Sequence, residues 1–409
     1  MTNMRIAVIG AGAAGMMAAG RAAELGSDVT LFEKNKFSGK KLRITGKGRC
    51  NVCNDCDVNT VIENIPTNPR FMYAALSNFE PADTKLFFEN LGVPLKTERG
   101  NRVFPVSDKA EDIVNALRNY TKQHSVRYVN EEVKDVMQSG EVFVVTAAIA
   151  REFDRVIVAT GGASYPLTGS TGDGYRIANS FGIDVTELSP SLVPLETIDR
   201  EPAEMQGLSL KNTGLEIIDT ANGKCVYRDF GEMMFTHYGV TGPMILSASS
   251  HLGKVERGRY KILLDLKPAL DEKTLDARLL SDFAKFANRD FANSLSALLP
   301  QKMIPVIIKR SGIDPTKKVN AITKEERRSL LMSLKEFELT IKQPRPISEA
   351  IITSGGVSVK EISPKTMESK KVPGLYFCGE VIDVDAYTGG FNLQIAFSTA
   401  RLAAENAIY

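Results

Sequence analysis

The strongest constraint in this chain is Arg5 to Lys34, RIAVIGAGAAGMMAAGRAAELGSDVTLFEK. An apolar run, Ile6 to Ile9, leads directly into Gly10-Ala11-Gly12-Ala13-Ala14-Gly15. An alanine-rich stretch continues to Leu25, and Gly26 ends it. A second apolar run, Val29 to Phe32, closes on Glu33 and Lys34. Strand, tight turn, helix, strand and acid in this order predict a dinucleotide-binding βαβ unit. Gly10 permits the turn, Gly12 lets a pyrophosphate reach the backbone, and Gly15 lets helix and strand pack closely. The helix that begins at Ala13 and Ala14 then offers free N–H groups to phosphate. Glu33 is placed to accept hydrogen bonds from ribose hydroxyls and disfavours a 2′-phosphate, so adenosine without one is expected.

The chain has 409 residues, which predicts two or three domains. Hydrophobic residues at 43% and charged residues at 24% suit a soluble globular enzyme. The net charge of +2 gives no support for nucleic-acid or membrane-surface binding. No segment is long and apolar enough to span a bilayer, and the glycine spacing argues for a retained fold over a signal peptide. A cytoplasmic protein is expected, since five cysteines, three of them crowded together, do not make an exported disulfide framework.

Phe37 to Asn54 is rich in glycine and cations, and reads as a loop or short helix beside the same nucleotide. Lys41, Thr45, Gly46, Gly48, Arg49, Cys50 and Asn51 are its candidate cofactor contacts. Cys50, Cys53 and Cys56 form C-x-x-C-x-x-C with no fourth ligand nearby, and His124, His237 and His251 lie apart, so no metal is expected. Two readings remain for these thiols: reduced loop cysteines, or a redox dithiol acidified by neighbouring cations.

Asn68 to Leu91 predicts a helix with Phe71, Ala75, Phe79, Leu86 and Phe87 on its apolar face. Ser107 predicts a helix start, with Ile113, Leu117 and Tyr120 facing inward. Val133 to Val136 is a short strand, and Glu141–Ala147 with Phe153–Ala159 predicts a hairpin returning to the main sheet. The strand from Arg155 ends in Ala159-Thr160-Gly161, small residues across which a ligand can lie. Leu192 to Leu266 reads as short strands of a small barrel or sandwich. Asp271 to Phe337 reads as helical, with Leu275, Leu279, Phe283 and Phe286 at helical spacing and a capping box at Thr323–Glu326. A last strand, Gly374 to Cys378, ends in Gly379-Glu380, and Asp385 follows. A glycine-flanked helix then starts within Gly389 to Gln394 and runs to about Ala407.

Two strand ends and a helix start thus converge on one ligand. The pattern resembles FAD-binding proteins of the glutathione-reductase-like Rossmann fold. The resemblance implies that the N-terminal turn holds the FAD pyrophosphate and that Gly379-Glu380 contacts the ribityl and phosphate region. It also implies that the last helix, through Gly390, Phe391, Asn392, Leu393 and Gln394, meets the flavin N1–C2=O edge. Val133, Ala159, Thr160, Gly161 and Asp385 complete the expected cofactor set.

More narrowly, the chain resembles the BaiN/YhiN-like NAD(P)/FAD-dependent oxidoreductases almost end to end. Lys41-Leu-Arg-Ile-Thr-Gly-Lys-Gly-Arg-Cys-Asn51, Arg102-Val-Phe-Pro-Val-Ser-Asp108 and Phe235-Thr-His-Tyr-Gly-Val-Thr-Gly-Pro243 carry that resemblance. Thr353-Ser-Gly-Gly-Val357 and Gly379 to Gln394 complete it. One departure is Cys53, where the family usually has threonine.

The fold class expected is α/β: a Rossmann-type FAD-binding domain with an inserted β-barrel-like domain and a small helical domain. Residues 1–190 would form the first part of the FAD domain, 191–270 the β insertion and 271–340 the helical insertion. Residues 341–409 would return through the β domain and complete the FAD domain. Only one dinucleotide turn is visible, so NADH or NADPH is expected to dock transiently. The expected activity passes hydride from NAD(P)H through flavin to a small unsaturated or carbonyl-bearing molecule. Tyr165, Tyr238, His237 and Tyr387 are candidate proton donors, with no catalytic residue assigned. The alternatives are an oxidase of a small amine or hydroxy acid using O₂, and an FAD-containing RNA-associated module.

Overall fold

The computed structural model describes residues 3–253 and 255–409. It divides into two compact units. The first runs from the N-terminus to Ser191 and resumes from Ile347 to Tyr409; the second is Leu192–Pro346.

The first unit is built on a parallel five-stranded sheet, in the order Leu375–Phe377, Arg155–Val158, Arg5–Ile9, Asp28–Phe32 and Arg127–Val129. Ile6, Ala7 and Val8 in the central strand are fully buried, as an apolar run covered on both faces requires. The first helix, Ala13–Glu24, and the last, Phe391–Ala407, bury small side chains such as Ala18, Ala22, Ala400 and Ala403. Gly20 belongs to the same economy of space: a Cβ there would lie 2.3 Å from the Tyr120 ring.

Three local expectations differ from the structure. The single helix expected over 68–91 is a 3-10 turn at Pro69–Met72 and two helices, Tyr73–Asn78 and Pro81–Asn90. Pro81 forces Glu80 into extended backbone, which ends the preceding turn, and Leu86 faces solvent. The helix expected from Ser107 begins at Ala110, because Ser107 Oγ accepts from Lys109 N in a local turn. The expected hairpin is a separate antiparallel sheet of Asp135–Ser139, Val142–Thr146 and Ala150–Phe153. Arg155–Val158 instead joins the main sheet in parallel, after Asp154 binds Arg5.

The second unit is a closed six-stranded antiparallel barrel. Phe337–Pro344 closes it by pairing with both Tyr260–Asp265 and Leu195–Thr197. The helices Glu272–Lys285, Ile304–Ser311 and Lys324–Lys335 bury Leu275, Leu279, Val306, Leu330 and Leu334 in one core with the barrel interior. Barrel and helices are therefore one unit, where separate insertions with boundaries at 270 and 340 were expected. Phe286, expected on the buried stripe, lies past the helix end beneath the Arg289 guanidinium.

Candidate functional site

The carboxyl ends of the central strands open on a cleft of ≈ 1220 Å³, open solvent included. Gly10, Ala11, Gly12, Ala13 and Ala14 line one wall. Gly10 has φ +102°, and a Cβ there would sit 2.7 Å from the Ala159 carbonyl oxygen. A Cβ on Gly15 would sit 1.7 Å from the Gly10 carbonyl oxygen, so this glycine sets the strand-to-helix distance from behind the wall. Gly12 differs: among the described residues nothing lies within 4 Å of its would-be Cβ, which points into open space.

The helix behind this turn is capped by Gly12, and among the described residues no side chain bonds its first N–H groups. Its first turn holds no acid. The last helix repeats the arrangement, with Gly390 as its N-cap and no acid in its first turn. Asn392 and Leu393 of that turn line the cleft. The Asn392 side chain folds back on Ala386, accepting from its N–H at 2.9 Å and donating to its carbonyl at 2.7 Å. Gly390 is required because a Cβ would meet the Cys53 backbone at 2.4 Å.

Glu33 reaches the cleft from the end of its strand. Its Oε2 accepts from Ala11 N at 2.9 Å, and its Oε1 accepts from Asn35 N and Asn35 Nδ2 at 2.7 and 2.8 Å. A carboxylate has about four acceptor positions, so one remains on Oε2. Lys34, Thr45, Val133, Ala159, Thr160 and Gly161 also line the cleft, and Lys34 pairs with Asp173 at 2.5 Å.

An ion pair stands inside the cleft. Lys41 Nζ lies 2.6 Å from Glu380 Oε2 and 2.7 Å from Ser164 Oγ. Glu380 Oε1 also accepts from Ser164 Oγ at 2.9 Å and Thr353 N at 3.0 Å. Thr353 Oγ1 in turn accepts from the Ala163 and Ser164 N–H groups. A Cβ on Gly162 would sit 2.4 Å from Thr353 Oγ1, and Gly161 has φ +73°, so each glycine of the pair after Thr160 has its own reason.

Several expected contacts lie behind the wall. Gly46 and Gly48 take left-handed backbone, and Gly46 covers Asn51. Arg49 pairs with Glu98 and Asp108 and lies over the Phe104 ring at 4.1 Å. Asn51 has a buried Oδ1 without a hydrogen-bond partner among the described residues. Gly379 donates to Thr399 Oγ1 and packs on Ala14. Asp385 is 1% exposed and accepts from the Ser191 and Ser354 hydroxyls. Phe391 is buried, and Gln394 is consumed inside the core by Thr84, Phe79 and Ser398.

The acidified dithiol does not survive. Burial pushes the Cys50 thiol up to about 12 and the Cys56 thiol up to about 11, and it raises Cys53 as well. The nearby cations do not offset desolvation, because Arg43 and Arg49 are paired with acids and Lys85 with Asp55. Cys50 and Cys53 are fully buried.

Sequence reading missed Asn35, Ser164 and Ser170 as cleft-lining or cleft-supporting residues. Thr353 sat in a recognised Thr-Ser-Gly-Gly motif, but its bonds to residues 163–164 span nearly half the chain.

A parallel sheet with this glycine turn, this acid and a returning C-terminal helix is the Rossmann-type FAD-binding fold, and the chain is an FAD-dependent oxidoreductase by class. It belongs to the HI0933-like family: the HI0933-like protein Rossmann domain matches residues 4–406.

The chain is 31% identical over 409 residues to the 3-dehydro-bile acid delta(4,6)-reductase of Clostridium scindens, covering 98% of each. It is 30% identical over 406 residues to the ribosomal RNA dihydrouridine synthase of Escherichia coli, covering 98% of this chain and 97% of that one. Among solved structures, the 3-ketosteroid delta1-dehydrogenase of Sterolibacterium denitrificans aligns over 100% of both chains with a TM-score of 0.51 at 12% identity, a likeness of fold. Among the described residues, no helix is long and apolar enough to cross a membrane.

Proposed function

We propose that this protein is an FAD-dependent reductase that saturates a carbon–carbon double bond conjugated to a carbonyl in a small molecule, with NADH or NADPH as hydride source. The observation that carries the reading is the pair of bare helix starts, at Gly12 and Gly390, serving one cleft. Two sets of unbonded backbone donors suit a ligand that is electron-rich at two separate places. Gly10 to Ala14 would hold the pyrophosphate, Glu33 the ribose, and Glu380 with Lys41 the ribityl region. The helix start at residues 390–393, braced by the Cys53 backbone, would meet the flavin ring edge. Bound FAD would supply two-electron chemistry, taking hydride from a nicotinamide and giving it to the carbon β to the carbonyl.

The chain's own residues must then furnish the proton for the α-carbon and stabilise charge on the carbonyl oxygen. Burial and Asp385 push the Tyr387 phenol up, so it keeps its proton across the physiological range. The names of the two relatives support the bond type. Dihydrouridine and a Δ4,6-reduced ketone both arise by saturating an alkene conjugated to a carbonyl. Five unpaired cysteines support a cytoplasmic setting.

A second reading takes uridine in ribosomal RNA as the acceptor, and the name of the E. coli relative favours it. The cationic loop counts against RNA docking there, since Arg43 is paired with Glu111 and Arg49 with Glu98 and Asp108.

Anaerobic stopped-flow mixing tests both readings. NADH or NADPH should bleach bound flavin, and a 3-oxo-4-ene should restore its colour. Restoration by ribosomal RNA alone, with dihydrouridine formed, would select the second reading. Absence of bleaching by either nicotinamide removes the reductase and favours the oxidase, which releases peroxide in air.

A further inference from the structure

We propose that Tyr165–Gly169 is a latch across the cofactor cleft, held shut by Asn35 and Lys40, and that its opening gates FAD exchange. The proposal rests on the FAD reading above.

The segment lies between two buried serines, Ser164 at 0% and Ser170 at 6% exposure, yet none of its own five residues is buried. Leu167 at its tip is 88% exposed. Tyr165 has φ +51° and Gly169 φ +103°, so the chain reverses at both ends of the segment. Inside it, Thr168 N donates to the Tyr165 carbonyl at 2.8 Å and Gly169 N to the Pro166 carbonyl at 3.0 Å. These bonds make it a small rigid body between two turning points.

What holds the segment down is polar and comes from one stretch. Lys40 Nζ donates to the Leu167 carbonyl at 2.5 Å, and Asn35 Nδ2 donates to the Thr168 carbonyl at 3.1 Å. Just beyond, Lys34 bonds Thr171 and Asp173. Thr168, Gly169, Asn35 and Lys40 all line the cleft, so a ligand filling it is enclosed by the strap. The same Asn35 Nδ2 that holds Thr168 also bonds Glu33 Oε1, which ties the strap to the acid placed for the ribose. Exposed hydrogen bonds without buried apolar area make a segment of low local stability, able to open while the sheet beneath stays folded.

A gate and a direct contact leave different kinetic marks. Loosening a gate speeds entry and exit together, whereas losing a contact to the ligand speeds exit alone. The test is FAD association and dissociation on the full chain, followed by flavin fluorescence, for wild type, Lys40→Ala and Lys36→Ala. Lys36 lies over the Phe37 ring, is not among the residues lining the cleft, and serves as the control. Lys40→Ala should raise both rates about tenfold, the size expected for one lost charge-assisted bond, while the control stays at wild-type rates. In wild type, bound FAD should protect the peptide bond after Leu167 from chymotrypsin. Unchanged rates in Lys40→Ala, or faster release with unchanged association, would overturn the latch. A wild-type protein that binds no FAD overturns the cofactor reading itself, a separate result.

Discussion

Two pairs of helices in this molecule begin in opposite ways. Glu272–Lys285 is capped by Asp271, which accepts from Thr274 N at 2.7 Å, and Lys324–Lys335 carries the full Thr323–Glu326 box with two acids in its first turn. Ala13–Glu24 and Phe391–Ala407 begin at glycine, with no acid in the first turn. The contrast is not one of units: Val58–Glu63, in the first unit, is capped by Asp57, and Pro243–Ser249, in the second, begins uncapped at Gly242. Helix starts leave unbonded N–H groups, and a side-chain cap typically contributes about 1 kcal/mol. Uncapped starts occur elsewhere, at Pro243–Ser249 and Ile304–Ser311, but the two that border the cleft leave their donors where a ligand can complete them.

The largest test of that contrast is Gly12→Asp. The added side chain enters open space, so the fold should hold, but an acid at the bare start should weaken FAD binding by roughly 100-fold or more in a flavin titration. Wild-type loading of this variant would break the comparison.

Next comes Cys53, whose backbone braces Gly390 at the second bare start. A thiol raised by burial stays protonated at pH 8, so iodoacetamide should label exposed Cys225 at least about tenfold faster than Cys50 or Cys53. Equal labelling would revive the dithiol.

Thr323→Ala sharpens the other side. It should cost about 1 kcal/mol in denaturant unfolding of the second unit and leave FAD affinity unchanged.

The smallest effect concerns Asp154, where hydrogen bonding to Arg5 holds the carboxyl below its ordinary range. A lowered folded value stabilises above the ordinary carboxylate pKa and is lost as pH falls through the folded one. Both partners are partly exposed, so Asp154→Asn should cost less than about 1 kcal/mol at pH 7 and nothing measurable near pH 2. A constant difference across that range would remove the ion pair as its cause.

The first unit was legible where a backbone demand forces residue type. Gly10 and Gly15 meet carbonyl oxygens at close range, and that demand is written in the sequence as a spacing. Helix limits were less legible around Pro81, because an apolar period runs through a residue that restricts its predecessor. The barrel's closing strand was read only in part. Its pairing with strands some 75 and 145 residues earlier is non-local, and its start abuts a well-marked helix. The cleft's wall was mostly readable and its fastenings were not. Asn35 to Thr168 and Lys41 to Glu380 join segments whose proximity no local pattern encodes.

The interruption of the first unit by residues 192–346 sets an order of events during synthesis. Arg155–Val158 leaves the ribosome more than 200 residues before Leu375–Phe377, the strand that covers its open edge. The intervening unit has a core of its own and can condense during that wait. The nascent N-terminal segment, nearly half of the chain, must meanwhile keep an uncovered sheet edge from pairing with its neighbours, a hazard that chaperones are built to meet. Losing even the last twenty residues would remove the helix beside Ala13–Glu24, leaving that edge strand paired but the core half open.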